Sequence, residues 1–326
     1  MNHNFFQSDT EGIKKLIDAY SRLRSEIRKV IIGQEQVVTD VIVSIFSQGH
    51  CLLIGVPGLA KTLLVNTVSK VLGLSYNRIQ FTPDLMPSDI TGTEILDENR
   101  QFRFIKGPLF ANIILADEIN RTPPKTQSAL LEAMQERAVT AAGKRYALDN
   151  PFFVLATQNP IEQEGTYPLP EAQLDRFMFS LLLTYPDLKE EIEIVRSTTS
   201  GTEPQLSKII AGDEIIVYQQ LIRKIPVPEN VLQFAVKLAA STRPQTEYAT
   251  AEVNNYIAWG AGPRASQYLI TGAKTFAALN GKFSPDMEDV IAVAPSVLRH
   301  RMVKNYKAEA EGVSMDDIIN RLIKSN

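Results

Sequence analysis

The feature of this sequence that most constrains its fold is a glycine-containing loop between a short apolar run and a helical pattern. The apolar run is Cys51–Ile54, and the helical pattern begins at Lys61. The loop reads Gly55, Val56, Pro57, Gly58, Leu59, Ala60, Lys61 and Thr62. Glycines let main-chain N–H groups turn inward around a phosphate, while a lysine reaches the β- and γ-phosphates and a threonine hydroxyl ligates Mg²⁺. The sequence therefore predicts a strand, a phosphate-binding loop and a helix, in that order.

One position of this loop departs from the standard pattern, which has glycine directly before the lysine. The residue there is Ala60, so the pattern alone is less specific. A plain strand-to-helix turn is the alternative interpretation, because glycine is common in turns. The choice depends on whether the rest of the chain supplies the other groups that a nucleoside triphosphate needs.

Two adjacent carboxylates follow a second apolar run. Ile113–Ala116 is followed directly by Asp117 and Glu118. Because such a strand end lies beside the phosphate loop in parallel sheets, we predict that Asp117 holds Mg²⁺ and that Glu118 orients and deprotonates the attacking water. Capping of the following helix is the alternative role for acidic residues in this place. The two motifs occur in the expected order, which makes each of them more specific.

A third apolar run, Phe152–Ala156, ends in a segment with a neutral amide, Asn159. An amide at this edge of the sheet can contact the γ-phosphate and hold a water molecule without adding charge. Asn-Pro is also an ordinary turn sequence, and that alternative stays open for Asn159 and Pro160.

Apolar runs alternate with helical patterns in the first part of the chain, which is typical of a parallel sheet covered on both faces. Two stretches interrupt the alternation and are predicted to be inserted β-hairpins, Thr93–Ile105 and Ala138–Leu148. The C-terminal part has helical patterns only. The predicted fold class is therefore α/β, with a parallel-sheet αβα domain in residues 1–187 followed by a smaller all-α domain in residues 188–326.

Composition argues against several classes of protein. A formal net charge of −3 does not favour a general surface for nucleic acid. The single cysteine, Cys51, is expected to be a buried packing thiol, and the three histidines lack the spacing of metal ligands. The chain opens with the polar segment Met1–Asn4, and no run approaches the about 20 apolar residues of a membrane span. We expect a cytoplasmic protein.

Four segments together make the chain similar to the AAA+ superfamily and, within it, to the MoxR family of bacterial and archaeal ATPases. The segments are Gly55–Thr62, Ala116–Glu136, Ala156–Pro160 and Leu169–Phe177. Ala60 matches the alanine of this family's own loop variant. The resemblance implies an AAA+ core with a helical lid, hydrolysis of ATP, and Mg²⁺ as the metal cofactor.

The resemblance also implies roles for individual residues. Lys61 and Thr62 match the Walker A positions, Asp117 and Glu118 the Walker B pair, Asn159 the first sensor, Arg176 the arginine finger and Arg264 the second sensor. The predicted nucleotide-binding set is Gly55–Thr62 with Leu63 and Ile32, where Ile32 would form an apolar wall of the base pocket. The predicted Mg²⁺ ligands are Thr62 and Asp117.

Both arginines have ordinary alternatives. Arg176 is predicted to act on a neighbouring subunit, because an arginine at a subunit edge offsets charge on the γ-phosphoryl group in the transition state. A salt bridge to Asp175 or Glu171 within the same subunit is the alternative. Arg264 could instead cap the helix that begins near it, and its side of action, on its own or a neighbouring subunit, stays open.

A finger that acts on a neighbour requires a ring, and the resemblance implies a hexamer. It also implies a chaperone that remodels or matures client protein complexes, including metal-cofactor enzymes, with a partner carrying a von Willebrand factor A domain. The two hairpins would approach the central opening of the ring. A DNA-dependent AAA+ motor is the alternative function, which the overall acidity does not favour.

Three further features carry ordinary interpretations. The basic run Arg299–Arg301 is expected on a solvated helix end, with ring contacts as the alternative. Trp259 is expected in the core or at an interface. Leu63 and Leu64 are both expected on the buried face of the helix after the loop.

Overall fold

The fold is described by a computed structural model for residues 6, 8–161, 165–201 and 204–325; the predicted polar start, Met1–Asn4, lies outside them. The first elements in chain order are α1 (Asp9–Arg28), α2 (Glu35–Phe46), β1 (Cys51–Ile54), α3 (Lys61–Val71), β2 (Tyr76–Gln80), α4 (Pro87–Thr91), β3 (Gly92–Leu96), β4 (Phe102–Lys106), β5 (Ile113–Asp117), α5 (Pro124–Glu136), β6 (Ala138–Ala141), β7 (Lys144–Ala147), β8 (Phe153–Gln158), α6 (Glu171–Leu174) and β9 (Phe179–Leu182). A short 3-10 turn, Ile119–Arg121, lies between β5 and α5.

The remaining elements are α7 (Leu188–Thr199), α8 (Gly212–Lys224), α9 (Glu229–Ser241), α10 (Ala251–Tyr256), β10 (Ile257–Trp259), α11 (Pro263–Leu279), α12 (Met287–Leu298), β11 (Val303–Lys304), α13 (Tyr306–Ala310) and α14 (Met315–Ser325). Within the described part of the chain, no helix is both long enough and apolar enough to cross a membrane.

Five strands form one parallel sheet in the order β2-β5-β8-β1-β9. Strands β5 and β8 are buried along nearly their whole length, because helices and hairpins cover both faces. Such strands read as continuous apolar runs rather than alternating ones, which is why the sequence pattern identified them. The strand order brings the carboxyl ends of β1, β5 and β8 side by side. The predicted α/β class with a parallel sheet is confirmed.

Both predicted insertions are antiparallel hairpins, formed by β3 with β4 and by β6 with β7. The first turn is held by Asp97, whose carboxylate accepts the N–H groups of Asn99 and Gln101 at 2.9 and 2.8 Å. The two hairpins contact each other through a ring stack of Phe104 on Tyr146, with centroids 4.0 Å apart. They therefore form one joined projection beside the sheet.

Among the described residues from 188 onward, the regular elements are helices and one two-stranded antiparallel sheet of β10 and β11, in which Ile257 lies opposite Lys304. The prediction of an all-α lid is wrong in this detail. Strands of three and two residues are too short for an alternating pattern to show in the sequence, and their partners are far apart along the chain.

One hydrophobic cluster runs from the sheet into the lid. Its members include Leu16 of α1, Val41 of α2, Leu53 of β1, Leu238 of α9 and Leu269 of α11. Helix α1 contacts α8 and α11, and α2 also packs on α11. The opposite face of the sheet has its own cluster, which includes Leu52, Ile114, Leu130 and Val154. The proposed boundary at residue 187 falls between β9 and α7, and the first cluster crosses it.

Candidate nucleotide-binding site

The glycine-containing loop lies between β1 and α3, at the carboxyl edge of the sheet. The Gly55 N–H donates to the carbonyl of Gln158 at 3.3 Å, which ties the start of the loop to the end of β8. The Lys61 ammonium donates to the carbonyl of Gly55 at 2.5 Å, so it folds back over the loop. A Cβ atom at Gly58, where φ is +88°, would meet open space. The loop therefore presents a concave, uncluttered main chain at a helix N-terminus, as anion binding requires.

Ala60 adopts a left-handed conformation, with φ of 53°. Glycine adopts this conformation without steric strain, which explains the glycine of the standard loop pattern. Alanine has no branch at Cβ, so the steric cost of this conformation is about 1–2 kcal/mol and is met by a single residue of the loop. The departure at Ala60 thus leaves the loop geometry in place.

Thr62 and Leu63 are exposed in the first turn of α3, whereas Leu64 is buried. The expectation that Leu63 packs in the core is therefore wrong. In α3 the buried face begins one residue later, so Leu63 lies on the accessible side next to the loop, with 44% of its surface exposed. That position leaves it available for contact with a bound nucleotide.

Asp117 is the last residue of β5 and is mostly buried. Thr157 of β8 donates to its Oδ1 atom at 2.6 Å and accepts the Glu118 N–H at 2.8 Å. Arg78 of β2 donates to Oδ2 from two nitrogens, at 3.0 and 2.7 Å. The carboxylate is thus oriented by two neighbouring strands, at the sheet edge that the loop also occupies.

Glu118 also has a left-handed backbone, with φ of 57°. Its Oε2 atom accepts Gln80 Nε2 at 2.9 Å and Arg121 Nη1 at 3.3 Å. A helix-capping residue ordinarily has an extended backbone and accepts a helix N–H on its side chain. Glu118 does neither, and its carboxylate contacts Gln80 of β2 instead. The side chain is therefore held at the sheet edge.

Three residues of this arrangement escaped the sequence reasoning: Arg78, Gln80 and Thr157. Arg78 and Gln80 lie on either side of Ile79 on β2, and Gln80 is opposite Asp117 in the register. Polar residues near the end of an otherwise sheet-forming run were the available signal. Only the strand order, which places β2 and β8 on either side of β5, reveals their contact with the carboxylates.

Asn159 follows β8 directly and is 6% exposed. Its Oδ1 atom accepts the Ile161 N–H at 3.2 Å, which makes the local turn that Asn-Pro sequences favour. Because Ile54 lies opposite Gln158 in the β1–β8 register, the amide is also next to the start of the loop. Asn159 therefore forms the ordinary turn and also lies at the predicted sheet edge, so the structure is compatible with both interpretations of this residue.

Arg176 and Arg264 lie close to one another in the chain's fold. Arg176 is half-buried and donates from Nη1 to the carbonyl of Leu131 at 3.0 Å. Arg264 forms an ion pair with Asp175 at 2.9 Å. The carboxylate of Asp175 also pairs with Arg301 at 2.8 Å. Asp175 was an alternative partner for Arg176, but its ion pairs are with these two lid arginines.

The basic run Arg299–Arg301 is not on a solvated helix end, and that expectation is wrong. Arg301 is only 6% exposed, and burial lowers its pKa to about 10 despite the charge of Asp175. Burial and the charge of Arg301 lower the pKa of His300 as well. Guanidinium groups can donate to several carbonyls at once, which lets a basic residue fill this buried position.

Ile32, the predicted wall of the base pocket, is half-buried. Gln34, two residues later, donates to the carbonyl of Thr184 at 2.9 Å, which holds this segment beside the end of β9. A nearby cavity of about 510 Å³ is lined by Val30, Leu63 and residues of α3 and α7, without Ile32. The contact of Ile32 with a base stays a prediction.

The donor set fits Mg²⁺ bound together with a triphosphate. Among the described residues, no group of three or more His, Cys, Asp or Glu side chains could hold a metal ion. Mg²⁺ does not need such a group, since phosphate oxygens, waters and one or two protein oxygens complete its shell. The predicted protein ligands are the hydroxyl of Thr62, an exposed residue, and the carboxylate of Asp117, which accepts hydrogen bonds from Thr157 and Arg78 in this structure.

Comparison with known proteins finds similar chains over nearly the whole length of this one. Residues 50–179 match the family model "ATPase family associated with various cellular activities (AAA)", and residues 249–322 match the AAA lid domain. The chain is 43% identical to Chaperone MoxR1 of Mycobacterium tuberculosis over 97% of this chain and 84% of that protein. It is 39% identical to the protein YeaC of Bacillus subtilis, over 92% and 91% of the two chains.

A solved structure is also similar. The crystal structure of a Cytophaga hutchinsonii protein described as a candidate ATPase superposes with a TM-score of 0.90. The two chains are 44% identical, and the match covers 97% of this chain and 96% of the other.

Proposed function

This chain belongs to the MoxR family of AAA+ ATPases, and we propose that it hydrolyses ATP with Mg²⁺ in a ring of identical subunits to remodel or mature client protein complexes. One observation carries the proposal for the site: the loop Gly55–Thr62, the Asp117–Glu118 pair and Asn159 share one sheet edge, joined by Thr157 and by the Gln158 carbonyl. Hydrolysis needs these groups in one place.

In this proposal each group has one role. The main-chain N–H groups of Gly55–Thr62 and the Lys61 ammonium bind the phosphates of ATP. Thr62 and Asp117 would hold Mg²⁺ together with the phosphates, and the bound ion would supply positive charge beside the phosphoryl group. Glu118 accepts a proton from the attacking water, and Asn159 orients that water. Leu63 and Ile32 contact the base.

Arg176 is proposed to complete the site of a neighbouring subunit, and a hexamer is the proposed ring. It lies just after α6, half-buried and lining a polar cavity of about 350 Å³, and this position supports a role at a subunit edge. Arg264 is proposed as the second sensor. A soluble ring in the cytoplasm, working with a partner that carries a von Willebrand factor A domain, is part of the same proposal.

The β3–β4 hairpin is the proposed contact with a client protein. Leu96 and Phe102 lie opposite each other near its tip, and 57% and 75% of their surfaces are exposed. Exposed apolar side chains on a projecting hairpin are typical of a surface that binds another protein. Through the stack of Phe104 on Tyr146, this hairpin is joined to the one that follows α5 directly.

Two substitutions test the proposed hydrolysis. Lys61→Ala should abolish ATP binding, measured by titration with a fluorescent ATP analogue, because the phosphates lose their cation. Glu118→Gln should retain ATP binding and form an ATP-loaded ring on size-exclusion chromatography, while phosphate release falls by at least about 100-fold, as expected for loss of a general base. Lys14→Ala, on an exposed face of α1, is the control.

Two results would contradict these assignments. ATP affinity equal to that of the wild type in Lys61→Ala would reject the phosphate loop. Unchanged steady-state phosphate release in Glu118→Gln would reject the role of that carboxylate.

A further inference from the structure

Four consecutive main-chain carbonyls around Arg176 accept hydrogen bonds from side chains of the lid. Arg301 donates to the carbonyls of Asp175, Phe177 and Met178, at 3.0, 2.5 and 3.1 Å. The Tyr268 hydroxyl donates to the carbonyl of Arg176 at 3.4 Å. The lid thus binds the backbone of the segment that carries the proposed arginine finger, residue by residue.

The same lid residues also hold the side chain that precedes the finger. Asp175 accepts Arg301 Nε on Oδ1 at 2.8 Å and Arg264 Nη1 on Oδ2 at 2.9 Å. One carboxylate therefore connects the finger segment, the buried Arg301 and the proposed second sensor, Arg264. Arg301 also lies over the Tyr268 ring, with its guanidinium carbon 5.0 Å from the ring centroid.

This network is more than a surface ion pair. Arg301 is almost fully buried, and a buried guanidinium must be neutralised and must have its N–H groups satisfied to remain charged. Asp175 provides the charge, and the carbonyls of the finger segment accept most of the remaining N–H groups. A small change in either residue would therefore move the backbone on both sides of Arg176.

We propose that Asp175 and Arg301 are positioning residues for the proposed arginine finger: they fix the backbone of Arg176 and connect it to Arg264 in the lid. The inference rests on the proposed function, since it requires that Arg176 complete the site of a neighbouring subunit. Neither residue contacts ATP in this proposal, and each acts through Arg176.

The test uses the full-length protein with Asp175→Asn. The matched control is Glu171→Gln, an exposed carboxylate of the short helix α6, which directly precedes Asp175. Asp175→Asn should lower kcat for ATP hydrolysis about 10- to 100-fold. A displacement of a catalytic group by about 1 Å or less has an effect of this size. The affinity of Asp175→Asn for a fluorescent ATP analogue should stay within about twofold of the wild type, because its own phosphate loop is intact. Glu171→Gln should keep wild-type kcat.

Mixed rings then separate positioning from general damage to the structure. Asp175→Asn subunits keep an intact phosphate loop, whereas Lys61→Ala subunits keep an intact finger, so mixing the two should restore ATP hydrolysis. Mixing Asp175→Asn with Arg176→Ala should restore none, because both lack a working finger. If Asp175→Asn does not fold, Arg301→Lys takes its place, since it keeps the charge and loses the reach to the carbonyls.

The possible results either support or overturn the positioning role of Asp175 and Arg301. Restoration with Lys61→Ala and none with Arg176→Ala supports the proposal. A kcat within twofold of the wild type overturns it. Failure of Asp175→Asn to be restored, while Arg176→Ala and Lys61→Ala restore each other, also overturns it and leaves the proposed function standing. If Arg176→Ala and Lys61→Ala do not restore each other, the action of the finger on a neighbour is rejected, and the positioning role with it.

Discussion

Asp117 binds an arginine where the proposed mechanism places a magnesium ion. Arg78 donates to Oδ2 of Asp117 from two nitrogens, and about half of the Arg78 side chain is exposed. An arginine and Mg²⁺ carry like charge and would compete for the same carboxylate. Arg78 is therefore part of the surroundings of the proposed metal ligand, although it contacts no nucleotide group in the proposed mechanism.

Replacing Arg78 by methionine should make the site bind Mg²⁺ more readily. The expected change is a half-saturating Mg²⁺ concentration for ATP hydrolysis that falls roughly two- to fivefold, since a partly exposed ion pair contributes about 0.5–1 kcal/mol. Hydrolysis measured over a Mg²⁺ titration at saturating ATP provides the value. Arg103→Met, on the exposed hairpin strand β4, is the control.

An unchanged or higher Mg²⁺ requirement in Arg78→Met would show that the arginine does not compete with the metal. In that case its contact with Asp117 serves only to orient the carboxylate.

At the level of residues, the sequence predicted positions correctly where the pattern around a residue is local and specific. The apolar run before Asp117 and Glu118, and the glycines before Lys61, predicted that these groups follow buried strands, which the structure confirms. It failed for Arg78 and Thr157, because their contacts depend on which strands are neighbours. It also failed for Arg301, since basic side chains are buried only when a specific carboxylate and carbonyls surround them.

At the level of elements, the proposed phosphate-binding loop depends on a backbone conformation that glycine adopts most easily. Within Gly55–Thr62, two residues have a positive φ angle: Gly58 and Ala60. For a residue with a Cβ atom the left-handed conformation costs about 1–2 kcal/mol, and branching at Cβ makes the conformation rarer still. We therefore expect β-branched residues to be disfavoured at this position.

Two substitutions at Ala60 should have opposite outcomes. Ala60→Gly should bind ATP as the wild type does, because glycine relieves the strain without changing the loop. Ala60→Val should weaken ATP binding by more than about tenfold, since the branched side chain forces the backbone out of the left-handed region. A titration with a fluorescent ATP analogue measures both.

Ala310→Val, on the exposed side of the short helix α13, is the control for the added methyl groups. Wild-type ATP affinity in Ala60→Val would mean that the conformation of residue 60 does not matter for binding.

Elements were predictable wherever their pattern was local. The turn around Asp97 and the alternating residues on either side indicated the first hairpin, and continuous apolar residues indicated β5 and β8. Strands β10 and β11 could not be predicted, because each is stabilised by its distant partner rather than by its own pattern. Strand order was likewise beyond the sequence, because it is decided by packing across the whole sheet.

At the level of the whole molecule, a buried carboxylate spans the two parts of the chain. Asp40 of α2 accepts the Ser296 hydroxyl of α12 at 2.8 Å and Gln36 Nε2 at 2.9 Å. It is 4% exposed, and burial raises its pKa to about 6, against the effect of these hydrogen bonds. The folded protein therefore binds a proton at Asp40 more tightly than the unfolded chain does.

This difference makes stability depend on pH. The contribution of Asp40 is fully present below its unfolded pKa of 3.8 and is lost as pH rises through about 6. The loss amounts to about 3 kcal/mol in the free energy of unfolding. Asp40→Asn does not titrate, so its stability relative to the wild type should rise by about 2 kcal/mol between pH 4 and pH 7.5, the part of the loss that falls within this range.

Urea unfolding of both proteins across this pH range is the measurement. Asp18→Asn, an exposed carboxylate of α1, is the control and should follow the wild-type curve. Curves for Asp40→Asn and the wild type that stay parallel from pH 4 to pH 7.5 would contradict the prediction.

Residues 1–187 and residues 188–326 share one hydrophobic cluster, so expressing either part alone would expose apolar side chains of that cluster. A fragment ending at residue 187 would leave α1 and α2 without the apolar faces of α8 and α11 that cover them. The C-terminal fragment would lose the same surface from the other side, and exposed apolar surface of this kind promotes aggregation. Point variants in the intact chain, rather than truncations, are therefore the right tools for separating ATP hydrolysis from contacts between subunits.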